Sequence, residues 1–195
     1  MTDLRHPWVM KRASLTLAFV FMATSAAASN CPPAPDHADA LARLFNQVQL
    51  APDPVSGQLI TNEMWALWAE APDEAAQAVL DAGMEKRAAY DFAGAISEFD
   101  RLIAYCPDYA EGYNQRAFVL FIQQDYPSAL ADLDRALALS PTHVAALAGK
   151  ALTLMGLNRM EEGQALLKQA LALNPWLPER RMVIPDTTPP AEKDL

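Results

Sequence analysis

Three prolines, Pro107, Pro141 and Pro175, stand 34 residues apart, and the residues between them fall into columns at the same interval. One small-residue column holds Gly83, Ala117 and Ala151, and a second holds Ala95, Ala129 and Gly163. A large apolar column holds Phe99, Leu133 and Leu167, and another, three residues on, holds Leu102, Ala136 and Ala170. A unit of this length cannot bury an apolar face alone, so its copies must stack and share a core between neighbours. The spacing within each copy is helical, and nothing alternates at period two for long enough to make a strand. The fold class expected is therefore all-α, a superhelix of three helix pairs over residues 76–109, 110–143 and 144–177.

The small columns let helices approach closely, and the proline that closes each copy starts the next. This pattern resembles the tetratricopeptide repeat (TPR) over residues 76–175, a solenoid of antiparallel helix pairs. The middle copy fits best, with Tyr113 at the packing anchor. The first copy departs from it, with Val79 at the anchor and Lys86 where the others carry Leu120 and Leu154. The turns between paired helices are expected at residues 89–92, 124–127 and 157–160. Glu98, Asp100, Arg101, Asp132, Asp134, Arg135 and Lys168 fall on second helices, where a solvated convex face is expected.

The start of the chain reads as a secretory signal. Arg5, Lys11 and Arg12 precede an apolar run over residues 13–23, too short to span a bilayer, which needs roughly 20 apolar residues. Ala26 and Ala28 offer a processing site, so residues 1–28 are expected to be removed and the mature chain to begin near Ser29. A cleaved signal is expected to place the protein in the periplasm of a Gram-negative envelope, without stable membrane insertion; an uncleaved membrane anchor is the alternative. A lipid anchor on Cys31 is disfavoured, because residues 28–30 lack the Leu and small residue of such a site. The mature chain keeps 12 Lys and Arg against 23 Asp and Glu, a net charge of −11 that disfavours nucleic acid and anionic headgroups.

Residues 29–75 form an N-terminal helical pair in this reading. Leu41, Leu44, Phe45 and Val48 share one face of a helix that Asp36 caps and Pro52 and Pro54 stop. Ser56 is expected to cap a second helix over residues 58–69, with Ile60, Met64, Leu67 and Trp68 on one face and Trp65 at its edge. The pair is read as a degenerate repeat, or a cap over the first repeat's open face, and its tryptophans as core. Cys31 and Cys106 are the only cysteines; export permits one bridge between them, and a buried thiol with an exposed one is the alternative. Beyond Pro175, a turn or two over residues 176–183 is expected to cap the last repeat, and residues 178–195 hold the short cap and a proline-rich tail.

Chemistry of an enzyme is not visible. The three histidines, His6, His37 and His143, make no metal-binding pair, no Cys-x-x-Cys occurs, and glycine is too sparse for a phosphate loop. Neither catalysis nor a cofactor or metal is expected. The resemblance instead implies binding, because first helices of successive repeats in that family line a concave groove for a peptide or helix. One version grips a terminal carboxylate with Lys, Asn and Arg, but the corresponding columns here hold Asp81, Met84, Gln115 and Gly149. The groove columns hold Met84, Phe118, Phe121, Ile122, Leu152 and Met155, with Asn114 and Gln115 beside them. This strip either meets an apolar partner or packs between repeats. Two functions follow: a scaffold or adaptor for a protein or peptide of the cell envelope, or a carrier of a small molecule or lipid that sets the Trp65 and Trp68 helix against the groove.

Overall fold

A computed structural model describes residues 31–185, which form eight α-helices and a short 3-10 helix. They are α1 (Ala38–Gln49), α2 (Pro54–Trp68), α3 (Glu74–Ala88), α4 (Phe92–Tyr105), α5 (Ala110–Ile122), α6 (Tyr126–Leu139), α7 (Val144–Gly156) and α8 (Met160–Leu173). The 3-10 helix is Pro178–Met182, in the segment expected to cap the last repeat. No described helix is long and apolar enough to cross a membrane. The expected signal segment and all but the first residues of the tail lie outside the described residues.

The 34-residue period is visible in local structure. Asp91 and Asp125 cap α4 and α6 by accepting from the Gly94 and Ser128 N–H groups, which supplies partners to otherwise unpaired donors. Tyr90, Gln124 and Asn158, again 34 residues apart, take left-handed backbone with φ near 60°, and so turn the chain between paired helices. The small columns do what their size suggests. A Cβ on Gly83 would fall 2.4 Å from the Phe99 ring, so α3 and α4 could not keep their separation with a larger residue. Ala117 is fully buried in one cluster with Leu133, Ala136 and Ala146, which joins the middle repeat to the last.

Three expectations need correction. Ser56 is not the cap of α2: Asp53 accepts from the Val55 and Ser56 N–H groups, and the helix begins at Pro54. Proline is tolerated in that first position because its missing N–H would have had no helical partner. His37, rather than Asp36, occupies the cap position of α1, with Asp36 accepting from the Ala38 N–H. On the second helices, Glu98 and Asp132 are buried rather than solvated. Lys86 reaches Glu98 at 2.6 Å, with Arg101 on its other oxygen, so the lysine that broke the leucine column supplies an ion pair between α3 and α4. Arg116 likewise links Asp100 and Asp132, each at 2.6 Å. The Lys86 bond holds the Glu98 carboxyl below its ordinary pKa.

The largest departure is the place of the N-terminal hairpin. Of the two readings, a degenerate repeat or a cap over the first repeat's open face, the second is corrected, because α1 and α2 pack on the last repeat. Leu44, Val48, Met64 and Trp68 form one core with Val144, Leu147, Ala170 and Leu177. Polar contacts fix the docking. Gln49 donates to the carbonyls of Ala172 and Leu173, Trp176 Nε1 donates to the Val48 carbonyl, and Asn174 donates to Thr61. Gly57 makes room, because a Cβ there would lie 2.2 Å from Trp176. The physical reason is that no α-helix follows α8 among the described residues, so the apolar end of the last repeat is covered by α1 and α2. The other end of the same segment is held by a Cys31–Cys106 disulfide, with the Cα atoms 5.2 Å apart, beside the end of α4. The hairpin thus runs from the first repeat to the last.

Candidate functional site

The hairpin changes what the concave face can be. With α2 lying against it, the groove becomes a chamber of about 370 Å³ between α2, α3, α5 and α7, closed at one end by residues 177–179. Phe118, Phe121 and Leu152 provide apolar wall from the repeats, and Trp65 faces them from α2. Phe118 is 49% exposed and carries the Arg87 guanidinium over its ring at 4.9 Å. Phe121 leans on Tyr126, with ring centroids 5.5 Å apart. Small residues Ala145, Ala148 and Gly149 on α7 leave the space itself.

One end of the chamber is polar. Gln115 accepts from Arg87 and donates to Glu111, and Asn114 donates to the other oxygen of Glu111 at 3.0 Å. His143 completes the cluster, with Nε2 2.8 Å from Glu111 and the ring stacked on Trp68 at 4.3 Å. His143 Nδ1 accepts from the Ala146 N–H, so the proton sits on Nε2 and is given to Glu111. A fully buried carboxylate is thereby satisfied by neutral donors, as burial of a charge requires. Burial pulls the Arg87 guanidinium below its ordinary pKa, opposed by the field of Glu111. Among the described residues no cluster of histidine, cysteine and carboxylates has the composition to hold a metal ion.

Of the groove residues read from sequence, Asn114, Gln115, Phe118, Phe121 and Leu152 line this one chamber. Three do not. Met84 packs against the core of the first repeat, Met155 lies between α7 and α8 against Gln164, and Ile122 is exposed beyond the lining. Arg87, Thr61, Ala145 and Ala148 belong to the wall without having been singled out. A cation at the end of a first helix gave no hint of its neighbours, and Thr61 enters only because the hairpin docks where it does.

Comparison with known proteins follows from this geometry. A sequence model of the tetratricopeptide repeat matches residues 120–179, from the end of α5 to the start of the 3-10 helix. Those residues match the tetratricopeptide repeat, and the eight described helices fold as an all-α superhelix of that kind. Solved repeat domains share the fold at low identity. The TPR domain of Arabidopsis OM64 is 20% identical, with 56% of this chain and 91% of that one aligned at a TM-score of 0.55. The TPR2B domain of yeast Sti1, solved in complex with an Hsp70 peptide, is 23% identical over 57% of this chain and 91% of that one, with a TM-score of 0.53. The first TPR domain of Spaghetti (RPAP3), bound to the HSP90 peptide SRMEEVD, is 20% identical over 55% and 89%, with a TM-score of 0.52. No curated protein matches the chain by sequence. At these identities the likeness speaks to the fold of the repeat protein and leaves its ligand to be argued from the chamber.

Proposed function

We propose that this repeat protein is an exported interaction module that seats a short apolar segment of a cell-envelope protein in the chamber between α2, α5 and α7. The observation that carries the reading is the half-exposed Phe118 at a cavity otherwise walled by Phe121, Leu152 and Trp65. A large aromatic left partly in water beside an apolar space is the kind of anchor that dominates interfaces, where truncation costs on the order of 2 kcal/mol or more. Peptide binding by the structural neighbours supports the class of ligand. The hairpin adds a limit: with α2 already in the groove, a whole partner helix does not fit, and the chamber suits one or two side chains of an extended segment. Cys31–Cys106 supports export, because such bridges persist in oxidising compartments. N-terminal sequencing of the envelope protein should return Ser29 or a close neighbour; Met1 would overturn the export reading.

The binding test is to fill the chamber rather than hollow it. Ala145 is exposed on α7 and lines the space, so Ala145→Phe should occupy it while leaving the core untouched. With a photoreactive residue at position 118, crosslinking in cells should give a discrete protein adduct that Ala145→Phe abolishes. An adduct pattern unchanged by Ala145→Phe would remove the chamber as the site. A second reading, a small-molecule carrier, is favoured by the chamber's volume, which falls within the range of small-ligand pockets. Native mass spectrometry separates the two: a co-purifying small mass lost in Ala145→Phe supports the carrier.

A further inference from the structure

A second chamber, of about 320 Å³, lies where the strap before α1, the end of α2, the start of α5 and the turn before α7 meet. It shares no residue with the first. Its walls are acidic. Asp36, Glu70, Asp108 and Glu111 line it, and no lysine or arginine does. Arg135 reaches Asp108 at 2.9 Å from outside the lining, Asp36 is engaged at the start of α1, and Glu111 is held by the buried cluster already described. Carboxylates around a low-dielectric concavity focus a negative potential into it, which concentrates cations.

Acidic walls alone would make only a solvated cluster. The independent observation is Trp68, which lines the chamber, is 8% exposed, and holds its Nε1–H buried with no acceptor among the described residues. His37 Nε2, also on the wall, is the other such atom; it lies 2.9 Å from Glu70 but out of line for a hydrogen bond. An unmatched buried donor carries a desolvation cost that an acceptor relieves. The site therefore calls for two features at once, a positive charge for the carboxylates and an uncharged acceptor for the indole. Leu41 and Leu67 add apolar wall for the body of such a ligand.

We propose that this second chamber binds a small organic ammonium with a carbonyl oxygen next to the charge, the ammonium set against Glu70 and the carbonyl accepting from Trp68 Nε1. Two sources carry that chemistry, the free amino terminus of a polypeptide and a free amino-acid amide. The acidic wall disfavours a free carboxylate on the same ligand. This site does not depend on the apolar chamber, and it can be present whether or not that chamber binds a partner.

The test is calorimetric titration of the full protein with three probes: leucinamide, a tetrapeptide amide beginning with leucine, and N-acetyl-leucinamide. Saturable binding of at least one of the two free amines, and none of the acetylated probe, is expected. Tighter binding of the tetrapeptide assigns the site to polypeptide amino termini, and equal or tighter binding of leucinamide assigns it to a small amine. Trp68→Phe keeps a ring against His143 but lacks the N–H, and should weaken binding about tenfold, as loss of one hydrogen bond does. Glu70→Gln, at an exposed side chain that folding does not need, should weaken it and flatten its salt dependence. Should Trp68→Phe melt early, Glu70→Gln decides alone. No binding of either amine, equal binding of the acetylated probe, or wild-type affinity in the Glu70→Gln protein overturns the proposal.

Discussion

His143 does three things with one ring: it caps α7, donates to the buried Glu111 and stacks on Trp68, and so joins the last repeat to both the middle repeat and the hairpin. His143→Ala removes the cap and leaves the buried Glu111 carboxylate short of a donor. A loss of about 2 kcal/mol or more is expected in denaturant unfolding. The opposite failure is expected at Ala117, where a side chain of one carbon is fully buried between helices. Ala117→Leu should overpack that contact and cost roughly 1–3 kcal/mol. A midpoint unchanged from wild type would contradict the repeat register. Residues of this kind differ in how far sequence exposes them. Ala117 declares its role because Gly83 and Ala151 occupy the same column, whereas His143 has no counterpart at Tyr109 or Leu177 and its partners come from three separate parts of the chain.

At the scale of elements, the repeats were legible and the hairpin's destination was not. A column repeated at a fixed interval specifies both which residues are buried and what buries them, because each copy packs on the next in sequence. Leu44 and Val48 on α1 specify only the first of these. Their helical spacing marked a buried face correctly, but the face they meet begins at Val144. The same gap explains the chamber: Phe118 and Phe121 could be placed on a concave surface from the register, while the opposite wall, Trp65 and Thr61, required knowing where α2 lies. Gly57→Ala tests that docking, since the added carbon would meet Trp176 at 2.2 Å, where α2 meets the last repeat. Hydrogen exchange should show faster opening of α1 and α2 with little change in α3 to α6. Uniform loss of protection across all helices would mean the hairpin is not a separable unit.

For the whole molecule, contact between the first and last helices alters the behaviour expected of a solenoid. An open stack of repeats has stability that is nearly a sum of neighbour terms and can fray from its ends. Here the hairpin spans the stack, and the disulfide closes a loop of 75 residues, which by chain entropy stabilises the fold by roughly 4 kcal/mol. The oxidised protein should unfold in one cooperative transition. Cys31→Ser, or reduction of the wild type, should lower the midpoint and separate loss of the hairpin from loss of the repeats. Coincident curves from tryptophan fluorescence and helical signal in the reduced protein would contradict this, because Trp65, Trp68 and Trp176 report on the hairpin and its dock.

The hydrogen bond from Trp176 to the Val48 carbonyl joins residues 128 positions apart. A ribosome adding roughly 5–20 residues per second makes the first partner several seconds, and up to about 25 seconds, before the second. Through that interval α1 and α2 have an apolar face and no surface to bury it on. Asp39, Arg43, Asp53 and Glu63 on or beside the two helices keep the waiting segment soluble, and Cys106, made well before α7, offers it an earlier anchor. A Cys31–Cys106 bridge closed before α7 is in place would hold the oldest part of the polypeptide beside the first repeat until the dock exists.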